Sequence, residues 1–297
     1  TLPVADRVRD LLARMTTQEK FWQLYMTPGD RDDPTNDWSR GAFGLQIAVK
    51  EQATKAPASP GEIARAHAAR VIAIQHYFVD STRLGIPIIP FDEAVHGLTR
   101  DVATMYPAAI GLAASCDTSL VRRVAERIVS EAIPRGIRQV LSPVINIATD
   151  VRWGRVEETY GEDPFLSSVM GVAFVNPFER AGIITTPKHF VANVGEGGRD
   201  SYPIALDRRS LAEVHFPPFR ETIAAGARSV MTSYNSVDGV PATQNRWLLS
   251  DVLRTQWGFD GFVISDAAAT GGATVLHFTE PNTPTAAKHA WEAGLDV

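Results

Sequence analysis

Five apolar, strand-like runs in this chain end in side chains that bind or attack polar groups. "IPIIPFDEAVH" closes on Asp92, Glu93 and His96, "VINIATDVRWGR" on Asp150, Arg152 and Arg155, "IITTPKH" on Lys188 and His189, "SVMTSYN" on Tyr234 and Asn235, and "FVISD" on Asp266. Carboxylate, guanidinium, ammonium, imidazole and phenol groups at such ends suit acid–base, nucleophilic or ligand-binding chemistry. Taken alone, Ser265-Asp266 reads first as a helix N-cap, for which both residue types are preferred. A single lysine likewise reads as a solvated charge. Their shared position at the ends of buried runs favours a site, because ligands of α/β sheets and barrels collect at that rim.

The elements that must position these residues read as alternating strands and helices. "MTTQEKFWQL" opens a helix, with Thr16 three residues before Glu19 in the capping-box spacing. Ile63, Ala66, Val71, Ile74 and Phe78 keep helical spacing and predict a helix over 61–80. Further helices are expected at 117–135, 165–180, 210–226, 246–256 and 284–293, each leading into an apolar run. Residues 27–40 and 55–62 read as polar, turn-rich loops. Nothing suggests a hairpin, so the alternation implies parallel pairing with right-handed crossovers. The predicted fold class is α/β, a (β/α)8 TIM-like barrel, with residues 1–297 forming one domain. The closing "AGLDV" reads as a strand with no helix after it. The barrel is therefore expected to lack its last βα unit, and the chain to be a piece of a longer protein or to receive that unit from elsewhere.

Of the 297 residues, 44% are hydrophobic and 21% charged, the proportions of a folded globular chain. A net charge of −5 without clustered Lys and Arg argues against a nucleic-acid partner. No apolar stretch approaches the roughly 18 residues of a membrane span, and the amino end, which starts at Thr1, lacks the pattern of a signal peptide. No membrane partner is expected, and the compartment is not written in the sequence: secreted, periplasmic and cytoplasmic locations are all compatible with it. Cys116 is alone, which excludes an internal disulfide and a cysteine-rich zinc site. His-Glu-x-x-His, Walker and G-x-G-x-x-G patterns are absent, so no metal or cofactor is expected.

"RMTTQEKFWQL", "RLGIPIIPFDEAVHG", "YPAAIGLAAS", "DVRWGRVEETYGEDP", "TPKHFVAN", "SVMTSYNSVDGVP" and "NRWLLSDVLRTQWGFDGFVISD" follow one another along nearly the whole chain. In kind and order they resemble the amino-terminal barrel domain of family 3 glycoside hydrolases. The resemblance implies a retaining glycosidase, β-glucosidase first and β-xylosidase second, acting on a β-linked oligosaccharide or glycoside. It assigns the nucleophile to Asp266 in "VISD". Sugar binding falls to Arg155 in "RWGR", Lys188 and His189 in "KHF", Tyr234 in "SYN" and Glu93 before "AVHG". Retention needs two carboxyl groups, a nucleophile and an acid that protonates the departing oxygen. Asp266 must ionise to attack, so surroundings that favour its charged form are expected, with Arg155, Lys188 and Tyr234 supplying them. Neighbouring side chains on a regular strand point to opposite faces, yet Lys188 and His189 are wanted at one sugar. The pleat must break there, through a strained or cis non-proline peptide. Glu157 and Glu158 read equally as ion-pair support for Arg155, and His96 and Glu162 as structural.

Two departures qualify the resemblance. Most members carry Trp after the nucleophile, where this chain has Ala267 followed by Ala268 and Ala269, so its aglycone preference is open. No motif supplies the acid/base, which the family commonly takes from a following α/β domain. The N-acetylglucosaminidase branch uses an Asp-His pair near "KHF", but here Asp200-Ser201 is followed by Tyr202. A following α/β domain is thus expected to complete the site, and a homodimer is compatible with the sequence. Two readings of other classes stand beside this one: a non-catalytic carbohydrate-binding barrel, and an aldolase using Lys188 as a Schiff base. Glu93, longer than the Asp often found there, would crowd a C6 hydroxymethyl group and shift preference toward xylose.

Overall fold

Short apolar runs separated by well-capped helices govern the architecture of the computed structural model, which describes residues 2–32, 35–48, 59–194 and 203–297. Two compact units emerge: Thr1–Phe91 with Pro134–Arg138 and Val297, and Asp92–Ile133 with Gln139–Asp296.

The first unit begins with α1 (Val4–Arg14) and α2 (Thr17–Trp22). The capping box forms as predicted: Glu19 N–H donates to Thr16 Oγ1 at 3.2 Å and Thr16 N–H to Glu19 Oε2 at 2.8 Å. The expected loop over 27–40 instead starts as a strand, β1 (Met26–Pro28), parallel to β2 (Gly44–Gln46) with Met26 opposite Gly44. Three residues are too few for a pattern to reveal. α3 (Pro60–His76) carries a second capping box, Ser59 with Glu62, and continues through a π turn at Tyr77–Ser81. It covers a core of Trp38, Leu45, Ile47, Val71, Ile74, Phe78 and Ile88. β3 (Ile89–Asp92) pairs parallel with β2, and its last residue opens the second unit.

The second unit repeats the alternation. α4 (Ala109–Ala113) and α5 (Thr118–Ala132) precede β4 (Gln139–Val140), and α6 (Pro164–Arg180) precedes β5 (Ile184–Thr185). α7 (Arg208–Ser210), a π turn at Leu211–His215 and α8 (Pro217–Ala224) lead to β6 (Ser229–Met231). A π-helical segment, Trp247–Gln256, leads to β9 (Phe262–Ile264), after which come α9 (Ala269–Val275) and α10 (Thr283–Ala293). The regular strands are short, but their neighbours continue the ladder. Leu141 N–H donates to Asp92 O at 2.9 Å, Lys188 N–H to Pro143 O at 3.0 Å, Phe190 N–H to Met231 O at 2.7 Å and Thr232 N–H to Ile264 O at 2.9 Å. β4 pairs parallel with β5, and β6 with β9. Phe190, Phe216, Phe219 and Trp257 pack ring against ring behind this ladder.

This is the α/β alternation of a TIM-like barrel, and among the described residues the strand pairings do not close a ring. Two expectations are corrected. A hairpin exists: β7 (Ser236–Val237) runs antiparallel to β8 (Val240–Pro241) across Asp238-Gly239, both with positive φ, the turn that Asp-Gly favours. "AGLDV" does not form a strand, because the Asp296 side chain takes the Val263 N–H at 2.7 Å, leaving one backbone bond from Asp296 N–H to Val263 O. No described helix is long and apolar enough to cross a membrane.

At the foot of β9, a Cβ on Gly261 would stand 2.2 Å from the Arg228 carbonyl oxygen that accepts the Phe262 N–H. Gly261→Ala should therefore destabilise the fold by about 1–3 kcal/mol or more, read as a lower urea midpoint. An unchanged midpoint would rule out this close approach.

Candidate active site

Ladder geometry carries Glu93, Arg155, Lys188, Tyr234 and Asp266 onto the wall of one cavity of about 520 Å³, within the usual range for small-molecule sites. The sixth residue expected there, His189, is fully buried beside it, with Nε2 3.4 Å from Asp266 Oδ2. The break in the pleat falls where it was expected: the Lys188-His189 peptide is cis, as are Ser142-Pro143 and Phe190-Val191.

Asp266 is only 9% exposed. It does not cap a helix, since α9 starts after Ala268, a residue without a side-chain cap. Its Oδ1 instead accepts the Ala267 N–H at 2.7 Å. Burial pushes its carboxyl above the ordinary value, while the Lys188 ammonium, the Ala267 N–H, the Tyr234 phenol and the Arg155 guanidinium pull the other way and recover only part of the shift. The sequence expectation that the surroundings favour the charged form is corrected here: the cations are present, but loss of water outweighs them.

Each cation is oriented by an acid of its own. Lys188 Nζ donates to Glu93 Oε1 at 2.8 Å and Oε2 at 3.0 Å. Arg155 grips Glu158 with two parallel bonds, Nε to Oε1 at 2.9 Å and Nη2 to Oε2 at 2.8 Å, a bidentate geometry that fixes the guanidinium plane. Of the two glutamates that could have supported Arg155, Glu158 does so, and Glu157 is exposed. Beneath Glu93, fully buried Asp92 accepts the Glu93 N–H at 3.0 Å and pairs with Arg100. Arg152 lies outside the site, exposed and paired with Asp150.

Asn146 has a part that the sequence reading missed. Its Nδ2 donates to His189 O at 2.9 Å, so Oδ1 faces the His189 N–H at 2.8 Å and Nδ1 at 3.0 Å. Nδ1 therefore carries a proton, and Nε2 is the ring atom turned to Asp266. The available signal was one amide inside the apolar run 140–147. Also missed were Ala268, Gly272, Val275 and Leu276, which line the cavity from α9 and the turn after it. Ala and Gly there give no helical pattern to read. His96 borders an adjoining cavity of about 380 Å³ that also touches Glu93, Arg155 and Lys188. Asp200, Ser201 and Tyr202 lie outside the described residues. Among the described residues no group of His, Cys, Asp or Glu could hold a metal ion.

A carboxyl raised in the folded state keeps a proton that the unfolded chain has already released. Stability therefore falls as pH rises from the ordinary Asp value through the raised one. Asp266→Asn removes that buried ionisation and should raise Tm at about pH 7, with the gain shrinking as pH drops through the window. Calorimetry across that range checks it; a lower Tm at neutral pH would mean that the cations outweigh burial.

Residues 52–297 match the Glycosyl hydrolase family 3 N terminal domain. The chain is 38% identical over 236 residues to a β-xylosidase of Formosa agariphila, covering 72% of this chain and 32% of that protein. It is 32% identical over 298 residues to a periplasmic β-glucosidase of Salmonella typhimurium, covering 98% and 37%. The structure of a β-glucosidase from Erythrobacter marinus superposes with a TM-score of 0.88 at 34% identity, covering 100% of this chain and 40% of that one. The chain thus spans between about a third and two fifths of the length of these relatives. With the family's domain matched over most of the sequence and the strand ends gathered around one buried carboxylate, the chain belongs to glycosyl hydrolase family 3.

Proposed function

We propose that the protein is a retaining β-glycosidase acting on terminal β-D-glucosyl residues, with residues 1–297 as its barrel domain and Asp266 as nucleophile. The observation that carries this reading is the buried Asp266 carboxylate sharing one cavity with Arg155, Lys188, Tyr234 and Glu93. An Asp266 oxygen attacks the anomeric carbon as the bond to the departing oxygen breaks, and that oxygen takes a proton from the acid. Water, deprotonated by the same group, then displaces Asp266 and releases the sugar with its configuration retained. The charge lost by the carboxylate on bonding was stabilised by Lys188 and Arg155. Those cations also donate to ring hydroxyls that position the anomeric carbon, and His189 Nε2, the acceptor nitrogen of its ring, takes a hydroxyl hydrogen. No second carboxyl on this chain is assigned the acid's part. We assign it to a following α/β domain, in keeping with relatives more than twice the length of this chain.

A β-xylosidase is the second reading. Glu93 favours it by reaching one methylene further toward the C6 position than Asp would, and the Formosa agariphila relative bears that name. A Schiff-base aldolase is disfavoured, because Lys188 Nζ is already engaged by both Glu93 carboxylate oxygens, at 2.8 and 3.0 Å.

Incubating the full-length protein with 2-fluoro-β-glucosyl and 2-fluoro-β-xylosyl fluorides should leave a glycosyl label on the Asp266 peptide. Asp266→Asn should lower kcat on aryl glycosides by about 10⁴-fold or more, as removal of a nucleophile does. Binding of sugar without label or turnover would favour a non-catalytic barrel. Rates on the aryl β-glucoside and β-xyloside decide the sugar, and Glu93→Asp should shift their ratio toward the glucoside.

A further inference from the structure

The cavity around Asp266 is divided in chemistry. Glu93, Arg155, Lys188 and Tyr234 make one wall, and Ala267, Ala268, Gly272, Val275 and Leu276 make the other. Among the described residues, nothing on this second wall offers a side-chain hydrogen bond or an aromatic face on which a second sugar could rest. Its two large side chains stay open to the cavity, with Val275 66% and Leu276 49% exposed. Single exposed aliphatics are ordinary. A consecutive pair lining the same cavity as a buried carboxylate is a different matter, since the departing group must lie next to that carboxylate.

The wall is also held in place by the site. Leu276 and His277 N–H both donate to Gly272 O, at 2.8 and 3.0 Å, and Thr279 N–H donates to Ala273 O at 2.9 Å. His277 Nε2 lies 2.8 Å from the carbonyl oxygen of Tyr234, whose phenol bonds Asp266. A Cβ on Gly272 would meet Leu276 Cδ1 at 3.4 Å, so the leucine side chain lies across the glycine. Small residues at 267, 268 and 272 leave the space, and the last residue of α9 with the first of the turn after it presents two aliphatic groups toward it. A preformed apolar surface captures an apolar group without an ordering cost.

Resting on the glycosidase reading, we propose that Ala267, Val275 and Leu276 form an apolar leaving-group subsite, selecting glycosides of hydrophobic alcohols, alkyl or aryl, over disaccharides. Continuity with the Asp266 cavity fixes the occupant as the departing group of the substrate.

The test uses the full-length protein and a series of methyl, butyl and hexyl β-glycosides of its preferred sugar, alongside the matching disaccharide. We expect kcat/KM to rise by roughly two- to fourfold per methylene while the chain lies on the wall, and the hexyl glycoside to exceed the disaccharide. Leu276→Asn should flatten the series, and the milder Val275→Thr should flatten it partly, which guards against a variant that fails to fold. A series that is flat in the unaltered protein, with the disaccharide preferred, overturns the proposal and leaves the wall to be covered by protein. Alkyl 1-thio-β-glycosides, which resist cleavage, give a readout independent of turnover. Their Kd should fall along the same series even if no glycoside is hydrolysed, so loss of the enzyme reading and loss of this subsite register separately.

Discussion

A carboxyl group has been placed where water is scarce, and the side chains around it answer to that constraint. Asp266 loses hydration at the end of β9, and desolvation dominates the direction in which its carboxyl shifts. Two cations converge on it, yet neither is its exclusive partner, because Lys188 is held by Glu93 and Arg155 by Glu158. Counting these side chains gives three acids against two bases, an excess of one negative charge. Loss of hydration outweighs both cations, so the carboxyl holds its proton longer than usual. His189, with Nδ1 committed to Asn146, turns Nε2 toward the same carboxyl at 3.4 Å.

Backbone irregularity at the strand ends serves the same convergence. A regular strand sends alternate side chains to opposite faces, so no unbroken pleat could present Lys188 and His189 to one ligand. The ladder is regular only for two to four residues per strand, then passes through single bridges at Val144, Lys188, Phe190 and Thr232. Buried polar groups fill the irregular stretch: Asn146 ties the strand carrying it to the His189 backbone, and Asn235 Nδ2 donates to Val191 O at 3.2 Å. These bonds replace the ladder bonds that the broken pleat forgoes, as buried backbone requires.

Much of this was legible from residue types. Helices announced themselves through caps, Thr16 with Glu19 and the helical spacing after Gly61, and the strand ends through polar residues terminating apolar runs. What escaped had weak local signals or depended on distant neighbours. The Asp238-Gly239 turn was visible, but its flanking strands are two residues each, below any periodicity. α9 is built from Ala, Thr and Gly, poor evidence for a helix, and its start is set by tertiary packing. The choice of Glu158 over Glu157 depends on which face of a single 3-10 turn meets Arg155. The net effect on Asp266 required weighing burial against charge, and sequence supplies the charges without the burial.

The division of the cavity follows from the same physics. On the charged wall, Lys188 is paired with Glu93 and Arg155 with Glu158, so a hydroxyl-bearing ligand exchanges hydrogen bonds with these pairs at little net cost. The other wall has to bring Ala267 N–H up to Asp266 Oδ1 while adding no further charge to a site already one negative in excess. An acid there would raise the Asp266 carboxyl further, and a base would compete with the substrate for it. Aliphatic side chains satisfy both conditions, and they also lower the local dielectric, which strengthens the pull of Lys188 and Arg155 on the carboxylate. The apolar wall of α9 and the cationic wall of the strand ends are thus two parts of one electrostatic arrangement around Asp266.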